Sequence, residues 1–231
     1  MPGRLAIFDD SDFRKDIKDL YSYIKNKVGV IRPKYNIAPT TYIPILLDTK
    51  VYSYGHFGLI PSWARDNKSI NINARSETLF EKKSFRESFK SKRCLIPING
   101  WYEWKKDGEL KIPHFIKPSK SNVFVCAGLY DQWYDNKSGK TILSVALITC
   151  EPNSIVEQIH DRMPVILDKK QWKTWLNNNS TLEELNNLFT LYPNENIDIV
   201  EVSTFVNKVS NDTIECILKN DKKEYTQTTL F

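Results

Sequence analysis

Short apolar runs separated by polar turns dominate the chain, and their spacing predicts mostly strands. Residues 42–47 and 51–57 read as a strand pair joined at Asp48-Thr49-Lys50. Residues 94–98 form a short apolar strand. Asn99-Gly100 is a turn signal, residues 101–104 resume as a strand, and Asp107-Gly108 is a hairpin turn into residues 111–116. Residues 123–130 and 142–149 are the most apolar runs, which places them at the sheet centre, with a polar turn over 135–140 between them. Residues 162–167 start a strand, and 197–206 form the last long one.

Helical spacing is confined to a few windows. Ser11 can cap a helix in which Phe13, Ile17, Leu20, Tyr21 and Ile24 share a face. Ser76 can cap one carrying Leu79, Phe80 and Phe85 and ending near Phe89. Pro152 suits the first turn of a short helix that delivers His160. Asp168 caps a helix with Trp172, Trp175 and Leu176. Ser180-Thr181-Leu182-Glu183 reads as a capping box, with Leu182, Leu185 and Phe189 on its buried side. Residues 32–40 are an ordered loop with two prolines, and residues 58–64 a second one with Trp63 at its tip. Several hairpins among a few helices predict a single α+β domain over residues 1–218, followed by a polar, mobile tail over 219–231.

Composition narrows the function. A chain of 231 residues, 41% hydrophobic and 26% charged, can bury one full core. It has no bilayer-length apolar run and no apolar leader, so no membrane role is expected. Cys94, Cys126, Cys150 and Cys216 form no C-x-x-C pair and read as buried free thiols of a reducing cytoplasm. Three histidines make a His-rich metal site improbable, and no cofactor is expected. A net charge of +5, with basic residues mixed among six Trp and eleven Tyr, suits single-stranded nucleic acid, although such aromatics also build cores.

Four stretches carry candidate chemistry. If an initiator Met1 is removed, Pro2 presents a free secondary amine that can attack an aldehyde and form an iminium, although most chain termini do nothing. Alternation puts Tyr102 and Trp104 on one strand face and Trp101 with Glu103 on the other. Buried there, Glu103 would bind protons more tightly and act as an acid or base near neutral pH; on an edge strand it would be an ordinary solvated carboxylate. His160-Asp161-Arg162-Met163-Pro164 joins a proton carrier to two charges ahead of a rigid proline. Asn73 can orient a carbonyl or amine, and Arg75 suits a phosphate.

Taken together, these segments resemble the SOS-response-associated peptidase (SRAP) family, proteins that crosslink to abasic sites in single-stranded DNA. Nine segments carry the resemblance in order. They are Gly3-Arg4, Arg32-Pro33-x-Tyr35-Asn36-Ile37-Ala38-Pro39-Thr40, Gly58-Leu59-Ile60-Pro61-Ser62-Trp63-Ala64, Asn73-Ala74-Arg75-Ser76-Glu77-Thr78, Arg93-Cys94-Leu95-Ile96-Pro97, Gly100-Trp101-Tyr102-Glu103-Trp104, Ala127-Gly128-Leu129-Tyr130, His160-Asp161-Arg162-Met163-Pro164 and Val206-Asn207. The resemblance implies a β-barrel-like mixed-sheet core with flanking helices and a basic groove for single-stranded DNA. It implies that Asn73 positions the terminal amine, that Glu103 is the acid/base for ring opening and water loss, and that His160 assists proton transfer. It assigns phosphates to Arg4, Arg75 and Arg162, and an unstacked base to Trp63. A cytoplasmic, nucleoid-associated monomer is expected.

One departure matters. The family carries a cysteine after Met1, whose amine and thiol close on the abasic aldehyde as a stable thiazolidine. This chain carries Pro2, so an iminium can form but the thiol trap cannot. N-terminal proline is also the nucleophile of abasic lyases of the formamidopyrimidine-glycosylase type, which the chain resembles in that feature alone. Phe57, where the family usually has Trp, keeps an aromatic. At the tail, Gln227-x-x-Leu230-Phe231 is similar to the bacterial sliding-clamp motif, with Leu230 and Phe231 as apolar anchors. Three readings stay open: an abasic-site enzyme using the Pro2 amine, a non-covalent single-stranded DNA-binding variant, and a peptidase or amidase using Glu103 and His160.

Overall fold

The computed structural model describes residues 2–8, 15–17, 32–48 and 51–221. Met1, most of the helix expected after Ser11, the Thr49-Lys50 turn and the clamp-like residues Gln227, Leu230 and Phe231 lie outside them. Lys15 and Asp16 are helical, and Ile17 is buried.

The described strands are β1 (Leu5–Ile7), β2 (Lys34–Ile37), β3 (Tyr42–Asp48), β4 (Val51–Phe57), β5 (Asn73–Arg75), β6 (Arg93–Ile98), β7 (Gly100–Asp107), β8 (Leu110–Pro118), β9 (Phe124–Asp135), β10 (Lys140–Cys150), β11 (Met163–Pro164) and β12 (Ile197–Glu201). The described α-helices are α1 (Lys83–Ser91), α2 (Lys169–Leu176) and α3 (Leu182–Asn186). Strands β10, β4, β3, β6 and β9 pair in succession, and β9 pairs back onto β10, so five strands close into a barrel. Every pairing in that ring is antiparallel except β10 with β4. A second, antiparallel sheet runs β12-β8-β7-β1-β2. The expected α+β, barrel-like mixed-sheet core is what forms.

Burial follows the sequence pattern. All six residues of β6 and the last seven of β10 are buried, as expected for strands covered on both faces. In β7 the alternation splits two cores. Trp101 joins the main core with Phe57, Phe124 and Trp175, while Tyr102 packs with Ala6, Phe115, Val202 and Val206 in a smaller cluster. Gly100 is required by close approach, because a Cβ there would collide with Ile116 O and the Phe115 ring.

Several local expectations shift. The helix expected from Ser76 is broken: a 3-10 turn at Ser76–Thr78 ends, Lys82 is extended, and α1 begins afresh. Phe80 and Phe89 meet edge to face at 4.8 Å, whereas nine residues of continuous helix would separate them by about 13 Å. Asp168 does cap α2, in a capping box with Gln171. The next capping box is one residue later than expected, Thr181 with Glu184. After Pro152 there is a run of turns and no helix. Buried Asn153 accepts from Val156 N, as a helix N-cap does, and donates to Tyr192 O, but the turns do not extend into a helix. The last strand stops at Glu201, and Thr204–Asn207 is a 3-10 turn.

Helices α1 and α2 share one buried joint. Arg93 is only 2% exposed. Its Nη1 donates to Phe89 O and Lys90 O at 2.6 Å, Nε to Trp175 O at 2.7 Å, and Nη2 to Asn177 O at 2.8 Å. The guanidinium therefore satisfies the carbonyls that both helix ends leave open, where the helix dipoles favour a cation. Arg93→Ala is expected to destabilise the fold by about 3 kcal/mol and lower Tm by roughly 10 °C. A thermal melt with an unchanged Tm would refute this role.

Candidate functional site

Strand β10 assembles the site by changing partners on both edges. One edge pairs with β4 at Ser144 and Val145, then with β5 at Leu147, Ile148 and Thr149. The other pairs with β9 up to Leu147, then with β11 at Thr149 and Cys150. The second half of β10 thus carries Asn73 and Arg75 on one side and the segment following His160 on the other. Arg162 links the two. Its Nη1 and Nη2 donate to Glu77 Oε1 and Oε2 at 2.8 and 2.9 Å, and Nη2 also donates to Thr149 O at 2.7 Å. This bidentate pair crosses the end of β10, and Arg162 is buried. It holds Glu77 well below the usual carboxylate range. Arg162, expected to hold a phosphate, has its fork turned onto Glu77 and the backbone.

The N-terminal segment enters from the second sheet. Leu5 and Ala6 pair with Trp101 and Gly100, and Tyr102 N donates to Arg4 O at 3.0 Å. Beyond Tyr102 the β1 edge ends and the chain peels toward β5. There Asn73 Nδ2 donates to the Pro2 carbonyl at 2.8 Å, and Pro2 is buried. Asn73 Oδ1 is buried without a hydrogen-bond partner among the described residues.

Glu103 is 4% exposed. Its Oε2 lies 3.6 Å from His160 Nε2. Burial pushes the Glu103 carboxyl up to about 7, against the pull of the positively charged chain terminus and its hydrogen bond. Burial lowers the His160 pKa, the same terminal charge lowers it further, and Asp161 opposes both. Asp161 Oδ1 lies 2.8 Å from His160 Nδ1, and Arg162 N–H approaches that nitrogen at 3.1 Å. A neutral ring serves one of them at a time. With Nδ1 accepting from Arg162, the ring proton sits on Nε2, facing Glu103. With Nδ1 donating to Asp161, Nε2 is free to take a proton from Glu103. The pair can therefore pass a proton at neutral pH.

A cleft of roughly 490 Å³ opens over this pair, lined by Arg4, Glu103, Trp104, Lys106, Lys111, His160 and Asn207. Arg4 Nη1 donates to Asn36 Oδ1 at 2.6 Å and to Val206 O at 3.0 Å, and its guanidinium lies 5.6 Å from the Trp104 ring centre. Trp104 Nε1 donates to Asn207 Oδ1 at 2.8 Å. Arg75 is exposed at the end of β5. Trp63, 53% exposed, has Lys83 Nζ 4.5 Å from its ring centre. Its loop is pinned by Ser62 N donating to Asp131 Oδ2 and Trp133 Nε1 donating to Ala64 O, both at 2.7 Å. The structure thus brings Pro2, Asn73, Glu103, His160 and Arg4 together, and presents Arg75 and Trp63 on the surface.

Sequence reasoning missed Trp104, Lys106, Lys111 and Asn207 as cleft residues. The Trp104–Asn207 bond joins two of the quoted segments, and that pairing is invisible along the chain. All four cysteines are buried free thiols, and burial raises each of them, Cys150 to about 11. None is a thiolate nucleophile near neutral pH. No described helix is long and apolar enough to cross a membrane, and the described residues contain no cluster of His, Cys, Asp and Glu able to hold a metal ion.

Comparison with known proteins agrees with the geometry. The family model described as SOS response associated peptidase (SRAP) matches residues 1–209. Abasic site processing protein YoqW of Bacillus subtilis is 40% identical over 224 residues, covering 94% of this chain and 99% of the relative. Abasic site processing protein HMCES of Xenopus tropicalis is 33% identical over 221 residues, covering 80% and 66%. A solved structure of a Bacteroides thetaiotaomicron protein superposes with a TM-score of 0.80 at 27% identity, covering 94% of this chain and 99% of that one. With the fold, the ordered segments and the assembled pocket in agreement, this chain belongs to the SRAP family.

Proposed function

We propose that this chain processes abasic sites in single-stranded DNA through its N-terminal amine. One observation carries the reading: Asn73 Nδ2 holds the carbonyl of buried Pro2 at 2.8 Å, while Glu103 Oε2 and His160 Nε2 face each other at 3.6 Å under the cleft. Once Met1 is removed, the Pro2 nitrogen adds to C1′ of the ring-opened sugar. Glu103, poised near neutrality, protonates the departing hydroxyl, and loss of water leaves an iminium. Asn73 Oδ1, buried without a partner among the described residues, is an acceptor for the amine N–H. His160 or Glu103 then takes a proton from C2′, and the 3′ phosphate leaves with the C3′–O electron pair. Water adding at C1′ releases the unsaturated aldehyde and restores the amine. With no thiol on Pro2, the crosslink is transient and the strand is cut.

Arg75, exposed at the end of β5, is the guanidinium for a neighbouring phosphate, and Trp63 the face for an unstacked base. The two-part organisation, a domain to residue 218 and a tail ending in Gln227, Leu230 and Phe231 that binds a sliding clamp, belongs to the same proposal.

The first test combines this protein with single-stranded DNA bearing one abasic site. The expected outcome is a covalent adduct trapped only with borohydride, together with strand incision, and both vanish when Met1 is retained. Pro2→Cys is expected to give a stable adduct without borohydride. Identical behaviour of abasic and undamaged strands, with nothing trapped, would sink the proposal.

A second test uses Glu103. Incision by the parent chain is expected to follow a titration with a midpoint near 7. In Glu103→Gln that limb disappears and the rate falls by roughly 100-fold. The same group changes stability. Its folded pKa lies above the unfolded value of 4.5, so the folded state holds the extra proton between pH 4.5 and about 7. Stability is therefore lost as pH rises through that window, by roughly 3 kcal/mol in all. Glu103→Gln is expected to melt higher than the parent at pH 8 and to match it at pH 4. Parallel melting curves at the two pH values would show that the carboxyl is not buried in this way.

A further inference from the structure

We propose that the outer arm of the cleft is a phosphodiester subsite in which Lys106 and Lys111 clasp one phosphate of the bound strand. The inference rests on the DNA reading above and adds a contact to it. Lys106 and Lys111 are direct cross-strand partners in the β7–β8 ladder. Side chains opposite each other in such a ladder leave the same face with Cβ atoms about 5 Å apart. Both line the cleft that holds Glu103 and His160. Alternation puts Trp104 and Lys106 on one face, so the arm runs outward from Trp104 toward the Asp107-Gly108 turn.

Two like charges directly opposite each other destabilise a hairpin. Some lysines of the fold relieve their charge on a carboxylate: Lys34 on Asp212, Lys90 on Glu87, Lys117 on Asp198. Lys106 and Lys111 have no carboxylate within ion-pair distance among the described residues, although Asp107 and Glu109 lie in the same hairpin. A pair of cations side by side at a cleft suits a bridging anion, and a phosphodiester shares its negative charge over two oxygens that can meet two ammonium groups. Arg4 does not compete for this place, since its Nη1 is committed to Asn36 and Val206 O. Trp104, fixed by Asn207, forms the wall between the reacting pair and the lysines. The subsite thus lies one step along the strand from the sugar over Glu103.

The test uses the protein as it exists and a single strand carrying a tetrahydrofuran abasic analogue, which has no aldehyde and binds without reacting. Successive phosphates beside the analogue are replaced by neutral methylphosphonates. One position is expected to cost the parent protein about tenfold in affinity. Lys106→Ala/Lys111→Ala is expected to bind the unmodified strand about tenfold more weakly, and to lose nothing further when that phosphate is neutralised. Its salt slope falls by roughly 0.7, the value for one phosphate of a single strand. Its Tm is expected to be no lower than the parent's, because a repulsive pair has been removed. Parent-like affinity and salt slope in the double variant would overturn the subsite, as would a methylphosphonate penalty that persists in it. If the parent protein binds no single strand at all, the DNA reading falls first and the subsite with it.

Discussion

The arrangement of this molecule depends on strand β10 satisfying four neighbours along two edges. A strand has one donor–acceptor row on each side, so four neighbours require a change of partner on each edge. Both changes occur at nearly the same height, around Leu147. That coincidence opens the barrel wall at one level and sends two chain segments to it from opposite sides. The bidentate Arg162–Glu77 pair then fastens them across the strand end. The pair has one buried partner, Arg162, and one exposed, Glu77; separating them would leave the buried guanidinium without its carboxylate. Its use here is to fix where Asn73 and His160 stand relative to each other.

The electrostatics of the pocket follow from that placement. Glu103 sits midway along β7, just beyond the point where its neighbour β1 stops, and its carboxyl is covered by protein. Burial alone would keep it neutral, and a terminal cation alone would keep it ionised. The balance near 7 comes from their opposition. His160 feels the same terminal charge with the opposite consequence, because for a base both burial and a nearby cation favour the neutral form. The two shifts cross: Glu103 rises to about 7 while His160 falls from its ordinary 6.5, so the carboxyl holds a proton more tightly than the ring beside it.

Much of this was readable in the chain, and the failures have physical causes. The long strands and the faces of β7 followed from alternation, but alternation left Glu103 open between a buried and a solvated carboxyl, because what covers its face comes from distant segments. β11 falls within the strand start expected over 162–167, but the partners of β5 and β11, three and two residues long, were not legible, because both are defined by the strand they join. The break after Ser76 depends on Phe80 turning back to meet Phe89, a contact that helical periodicity cannot register. The phosphate role of Arg162 was implied by the family resemblance and not by the local pattern. Its true neighbour, Glu77, lies 85 residues away. Local pattern reports which face a side chain takes, whereas partner identity is set by topology.

The Arg93 joint has a consequence of another kind. Every acceptor it uses is a backbone carbonyl, at Phe89, Lys90, Trp175 and Asn177. A carbonyl survives any substitution at its own residue. Lys90 and Asn177, both exposed, can therefore be exchanged freely while the guanidinium keeps its four partners. The joint ties the two helices to the barrel while leaving their outward surfaces free to drift, so sequence variation there can accumulate without disturbing the frame that carries the pocket.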